Sequence, residues 1–470
     1  MSDKEYPYID LIYNQQVDNR FIIQKKSIKQ RIDLLKNLEK EILLHRDEIV
    51  EALHKDFRKS KIESESTEIF PVLSEIRLFC KNLNEWSKSK SVSNNFVFFG
   101  SKAIIQIEPK GNCLIISPWN YPFQLAMMHL VACIAAGNTA ILKPSEFTEH
   151  TNSVLNKILG NVFESNHVQL LYGEIDETSY ILSKKFDHIH FTGSPNVGKI
   201  VMEAGAKHLS SVTLELGGKS PLVIDEAFDI KKAVSKAIWG KLINNGQTCI
   251  APDYILIHES KEVEFVEEFK RQMEKTFGHD PKESKDLARI INTRNFNRVK
   301  DLIQNAIELG ADCPYGNEYD GYELYIKPTI LRNIPQEAEI LKEEIFGPVF
   351  PILTYNSIEN AIHYINTAEK PLALYIFSNN KELINNVTEN TSSGAVMVND
   401  LLIHIMHPNL PFGGVNNSGI GSSTGYFGFL DFSHQKPVLK VNQLFSPTKF
   451  LNYPYNAFTQ KIINLMIKYL

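Results

Sequence analysis

The chain has 470 residues, 43% hydrophobic and 22% charged, with a formal net charge of -5 at pH 7. That length supports two or three domains with large cores, and a slightly acidic chain without a dense Lys/Arg stripe gives no footing for nucleic acid. Its five cysteines, an odd number without paired spacing, argue against a disulfide framework, and no Cys/His cluster has zinc-ligand spacing, so no metal is expected.

The first 14 residues lack a basic region followed by an apolar core, and the most apolar run, Leu125 to Ala136, is too short to span a bilayer. A cytoplasmic location is the expectation. Apolar side chains at Ile28, Ile32, Leu35, Leu38, Ile42 and Ile49 predict one long amphipathic helix from Gln24 to about Val50, and a second covers Ser66 to Ser87. Ser91–Gly100 is a polar loop, and Ser101–Glu108 alternates as a strand that could leave the main body as an arm.

From Asn112 onward, short apolar runs at 113–116, 139–142, 168–171, 188–191 and 212–216 alternate with helical segments at 122–136, 148–160, 176–183 and 195–208. This alternation predicts an α/β fold with a parallel sheet covered on both faces, and a nucleotide at the carboxyl ends of its strands. A second α/β series starts near Pro221 and runs to about Asp400. At the carboxyl terminus, Ile462, Met466 and Leu470, with Ile463 and Ile467, form an apolar helical face flanked by Lys461 and Lys468. Docking of this tail on protein is preferred; peripheral contact with a membrane surface is the alternative.

Several stretches carry chemistry. Cys249 lies in a polar, glycine-bearing run, Asn244 to Pro252, which reads as a turn presenting its thiol, whereas Cys80, Cys113, Cys133 and Cys313 read as small core hydrophobes. Asp187–Lys199 is a strand, turn and helix in which Gly193 and Gly198 fit the outer positions of G-x-G-x-x-G, with Pro195 at the middle one. Lys143 and Glu146 follow a strand, as a solvated turn or as partners of ribose hydroxyls. Asn120 precedes Pro122 at a helix start, where it either caps the helix or donates to an oxyanion. Glu215 ends a strand with apolar flanks, as a solvated glutamate or as a general base with a raised pKa. Of the adjacent Glu343 and Glu344, one carboxylate at most should face a site.

Together these stretches resemble the aldehyde dehydrogenase superfamily over roughly residues 20–440. The shared motifs are PWNYPF (118–123), KPSE (143–146), FTGS (191–194), ELGGK (215–219), GQTC (246–249), EEIFGP (343–348) and PFGG (411–414). The short amino-terminal lead-in, GQTCIAPDYIL and EKPLALYIFS look most like the class 3 branch of fatty and aromatic aldehyde dehydrogenases. The resemblance implies two doubly wound parallel-sheet domains plus a small β bridging and oligomerisation arm. The divisions would be 1–90 with 109–214 for NAD(P) binding, 215–400 for catalysis, 91–108 with 401–445 for the arm, and 446–470 for the tail. It implies Cys249 as nucleophile, Asn120 as an oxyanion donor and Glu215 as the base that activates water. Lys143 and Glu146 would hold the adenosine ribose of NAD or NADP, Gly193, Ser194 and Gly198 the pyrophosphate region, and Glu344 with Phe346 the nicotinamide end.

The expected reaction is oxidation of an aldehyde, medium or long-chain aliphatic or aromatic, to its acid through a cysteine thiohemiacetal and thioester, in a homodimer. Two alternatives stand beside it: transfer of the acyl group to coenzyme A, and a silent binding protein on the same fold. One departure is visible. Where class 3 relatives typically carry Tyr-His-Gly followed by a basic residue, this chain reads Ser422-Ser423-Thr424-Gly425-Tyr426-Phe427-Gly428-Phe429, and Asn416 stands where glycine is common.

Overall fold

The computed structural model describes residues 5–469. Strands Asn112–Ile116, Thr139–Lys143, Val168–Leu170, His188–Gly193 and Ser211–Leu216 form a parallel sheet, with Gly419–Ile420 added antiparallel beside Ser211–Leu216. All five positions of Asn112–Ile116 and of Thr139–Lys143 are buried. This explains why they read as continuous apolar runs: helices cover both faces of the sheet. The chain lays down Asn112–Ile116, then two strands on one side of it and two on the other. The order therefore reverses between Asn112–Ile116 and His188–Gly193. Ligands enter open α/β sheets outside the carboxyl ends at such a point, and there stand Pro118-Trp119-Asn120 and Thr192-Gly193-Ser194.

The second sheet has seven strands, ordered Asp312–Tyr315, Thr329–Arg332, Val349–Tyr355, Tyr254–His258, Pro221–Ile224, Ala373–Phe377 and Ala395–Val398. Only the first of these is antiparallel to its neighbour. Because Ser211–Leu216 pairs fully with His188–Gly193, Glu215 belongs to the first sheet. The crossover lies in Gly217–Ser220, just after the boundary expected at 215. That four-residue link sets the carboxyl edge of the first sheet against the amino edge of the second, which is where the Cys249 loop feeds Tyr254–His258.

The arm is smaller than expected. Lys90–Ser91, Lys102–Pro109 and Ser433–Lys440 form a three-stranded antiparallel sheet, whereas residues 401–432 stay with the two domains. Within that span Gly419–Ile420 joins the first sheet, and Phe429 and Phe432 enter the core formed by the first domain's helices. At the amino end, the long helix expected over 24–50 is two helices, Ile28–Leu44 and Arg46–Phe57, separated at His45. A helix at Pro7–Gln24 was not legible, since it buries only Ile9, Gln16 and Ile23. Gln16 latches it to the sheet edge by donating to the carbonyls of Ala140 and Ser165, at 2.9 and 3.0 Å.

No helix among the described residues is long and apolar enough to cross a membrane. The carboxyl-terminal helix Ala457–Tyr469 half-buries Ile462, Ile463 and Met466 and exposes Phe458, Leu465, Ile467 and Tyr469. Leu470, placed on its apolar face from sequence, lies outside the described residues.

Candidate active site

The Cys249 loop is held from inside. After helix Ile230–Leu242, Asn244 and Asn245 take left-handed backbone at φ 49° and 53°, a region asparagine tolerates. Gly246 follows at φ 78°, where a Cβ would stand 2.3 Å from the Gly347 carbonyl oxygen. Gln247 donates to the carbonyls of Asn244 and Arg289 and accepts from the Ile291 N–H, each at 3.0 Å. The expectation of an open, presented turn is therefore corrected. The loop is buried because Asn244 and Gln247 bond each other and the loops around them, and Thr248, the half-buried Cys249 and Ile250 reach free space. That space is double: Cys249 lines a polar cleft of about 240 Å³ on one side and an apolar cavity of about 430 Å³ on the other.

Asn120, Thr192, Ser194, Glu215, Glu344 and Phe346 line the polar cleft. Asn120 donates from Nδ2 to the Gln247 carbonyl at 3.0 Å, and its own carbonyl accepts from Lys59 Nζ at 3.1 Å and Asn244 Nδ2 at 2.7 Å. It does not cap the following helix. Glu68 Oε2 does so, accepting from Phe123 and Gln124 N–H at 3.1 and 3.0 Å. The Asn120 amide is thus fixed beside the cysteine loop, and its second N–H has no partner among the described residues.

Burial pushes the Glu215 carboxyl up to about 8, partly offset by the Ser423 hydroxyl, which donates to Oε1 at 2.7 Å. Glu215 Oε2 is buried without a partner among the described residues. Glu344 is likewise raised to about 8 by burial, and its carboxylate occupies the space a Cβ at Gly217 would need, 2.2 Å away. The Lys219 ammonium fixes this segment by pairing with Asp253 and donating to the carbonyls of Ile340 and Glu343, both at 2.8 Å. Arg298 donates to the carbonyls of Glu344 and Ile345 at 3.0 and 2.6 Å. Glu343 turns outward to Arg298 and solvent, the divergence expected of adjacent residues. Phe346 sits edge-on to Trp119, with ring centroids 5.3 Å apart.

Burial, then Glu344 and Glu215, push the Cys249 thiol up to about 12; the backbone N–H groups of Cys249 and Ile250 offset part of this. The resting sulfur is therefore a thiol, and it becomes a nucleophilic thiolate only once a proton is removed. Lys219 and Arg298 offset part of the rise at Glu344, which burial dominates.

Of the remaining sequence-nominated residues, Gly193 and Ser194 line the cleft and the others stand farther out. Lys143 is buried at the carboxyl end of its strand and donates to the Pro144 carbonyl at 2.8 Å, while Glu146 is exposed. Neither lines the cleft, although Lys143 pairs in register with Ile116, next to the Pro118–Asn120 turn. Ser194 caps helix Pro195–His208 by accepting from Val197 N–H at 3.4 Å. Gly198 serves packing, because a Cβ there would meet Leu216 at 2.8 Å; the third glycine of a dinucleotide turn has that role. Asn416 adopts φ 56°, as a glycine substitute must. Sequence reasoning missed Ser423, Thr192, Asn295 and Arg298. Thr192 lies inside a recognised motif, Ser423 inside the atypical segment, and the other two carried no signal.

The cleft suits NAD(P) on its own chemistry. Thr192 Oγ1 and Glu215 Oε2 are buried polar atoms without partners among the described residues, and Ser194 caps a 14-residue helix whose N-terminal end favours a phosphate. The opposite cavity is bounded by Phe70, Leu125, Met128, Trp239, Ile243 and Met406, apolar walls for an apolar substrate.

A sulfur between a nucleotide-type cleft and an apolar cavity, where two parallel sheets meet, defines a nicotinamide-dependent oxidoreductase of the cysteine type. The profile of the aldehyde dehydrogenase family matches residues 17–438. Aldehyde dehydrogenase family 3 member A2 of Rattus norvegicus is 42% identical over 434 residues, 92% of this chain and 89% of that one. The 4,4'-diaponeurosporen-aldehyde dehydrogenase of Staphylococcus aureus is 41% identical over 416 residues, 88% of this chain and 90% of that one. A substrate-bound structure of Staphylococcus aureus AldH superposes with a TM-score of 0.92 at 38% identity, covering 98% of this chain and 99% of that one. The chain belongs to the aldehyde dehydrogenase family, is most like its class 3 branch, and oxidises aldehydes with NAD(P).

Proposed function

We propose that the substrate is an apolar aldehyde, medium or long-chain aliphatic or aromatic, converted to its carboxylic acid through a Cys249 thiohemiacetal and thioester. One observation carries this: Cys249 alone of the candidate catalytic residues lines both the apolar cavity and the polar cleft. NAD or NADP bound in the cleft supplies the hydride acceptor. An aldehyde has no hydride to give until a nucleophile makes its carbon tetrahedral. The thiol proton passes to water in the cleft, the sulfur adds, and the resulting oxyanion is met by the Asn120 amide and the Cys249 backbone N–H. After hydride loss, Glu215 takes a proton from the water that hydrolyses the thioester. A buried carboxylate at this position favours water over coenzyme A as acyl acceptor. Glu344 and Phe346 hold the nicotinamide end, Gly193, Ser194 and Gly198 the pyrophosphate turn, and Lys143 with Glu146 the ribose. The test is an aldehyde series of increasing chain length, assayed with each cofactor and with coenzyme A. Free acid as the product, with kcat/KM rising with chain length, supports the reading; an acyl-coenzyme A product overturns it.

The same proposal includes a cytoplasmic homodimer. The odd, free cysteines suit a reducing compartment. The outer edge of Ser433–Lys440 is unpaired among the described residues, and a partner would cover it. Sedimentation at the monomer mass would overturn the dimer. The tail docks on protein through its half-buried face, leaving Phe458, Leu465 and Ile467 for weak membrane contact. Unchanged sedimentation with lipid vesicles after truncation beyond Ser446 would remove that contact.

A further inference from the structure

We infer that Ser423, from the segment that departs from the class 3 pattern, is the positioning residue for Glu215, holding one carboxyl oxygen so that the other faces the cleft. The inference rests on Glu215 being the water-activating base. Ser423 is buried, and its backbone is clamped to Phe412 by reciprocal bonds, Ser423 N–H to Phe412 O at 2.6 Å and Phe412 N–H to Ser423 O at 3.1 Å. This bridge fixes the serine backbone, and its hydroxyl donates to Glu215 Oε1 at 2.7 Å, with the Phe412 carbonyl a longer second acceptor at 3.4 Å. It is the only side chain among the described residues that bonds this carboxyl, and Oε2 has no partner among them. A glutamate with three rotatable side-chain bonds, tied at one oxygen, keeps one rotamer with the other oxygen free for water.

The bond also bears on charge. Near Glu215 stand the Cys249 thiol and, farther along, Asp431, whose carboxylate is held well below its ordinary range by His188 and His190 although burial opposes this. Glu344 lies across the cleft. None of these groups favours the Glu215 anion, so the Ser423 hydroxyl is the one that does. The same segment continues into Thr424 and Gly425, which line the apolar cavity. The substrate wall and the support of the base are therefore consecutive residues.

The experiment compares wild-type enzyme with Ser423→Ala and Glu215→Gln, each with saturating cofactor, following the burst of reduced nicotinamide and then steady-state thioester hydrolysis from pH 6 to 10. Removing a bond to a carboxylate should slow hydrolysis roughly tenfold near neutral pH and move its acid limb up by about one pH unit, leaving the burst amplitude intact. A Ser423→Ala enzyme with an unmoved acid limb overturns the inference even where Glu215→Gln blocks hydrolysis. A Glu215→Gln enzyme that hydrolyses normally overturns instead the assignment of the base on which the inference rests.

Discussion

Lys59 and Glu68 form a fully buried ion pair, Nζ to Oε1 at 2.6 Å. Each member has a second task, since Lys59 donates to the Asn120 carbonyl and Glu68 holds the N-terminal N–H groups of the helix after Pro122. Removing one partner of such a pair leaves a buried charge uncompensated, at a cost of about 3–5 kcal/mol. Lys59→Met should therefore lower the urea midpoint sharply and loosen the Asn120 turn. Equilibrium unfolding of the variant, with Lys61→Met as an exposed control, measures this.

Asn120→Ala removes the amide proposed as an oxyanion donor while the carbonyl bonds from Lys59 and Asn244 still hold the backbone. Turnover should fall about a hundredfold or more with little change in aldehyde KM. A loss confined to KM would assign Asn120 to substrate binding.

A Cys249 thiol pushed up to about 12 is almost wholly protonated at neutral pH in the free enzyme. Its alkylation by iodoacetamide should rise about tenfold per pH unit from pH 7 to 9, since only the thiolate reacts. A rate that levels off near pH 7, monitored by peptide mapping of Cys249, would mean an already ionised sulfur. Cys249→Ser should abolish aldehyde-dependent production of reduced nicotinamide.

Glu344 is raised to about 8 in the folded protein, above the ordinary glutamate value. Between those two values the native state binds the extra proton, so stability falls as pH rises and the penalty is complete above about 8. Glu344→Gln should raise the thermal midpoint relative to wild type, with the gain growing from about pH 5 to about pH 8. A pH-independent difference would argue against a buried, protonated carboxyl.

At Gly217 an added Cβ would collide with the Glu344 carboxylate, so Gly217→Ala should raise cofactor KM roughly tenfold. Gly160, in helix Glu149–Val162 with nothing near its Cβ position, is the control. Gly160→Ala should be neutral for activity and stabilising by roughly 0.5–1 kcal/mol. Isothermal titration with NAD and NADP separates the two outcomes.

The sequence by itself determined the alternation of strands and helices and the two sheet series, and it nominated Cys249, Asn120 and Glu215, because apolar periodicity and short motifs are local properties. It left open whether Asn120 capped a helix and whether Glu215 stood in water. The tertiary structure decided both, since Glu68 comes from 52 positions upstream of Asn120 and Ser423 from 208 downstream of Glu215. It also turned an apparently exposed cysteine turn into a buried one. Burial and charge are sums over neighbours distant in the chain, and no window of sequence contains them.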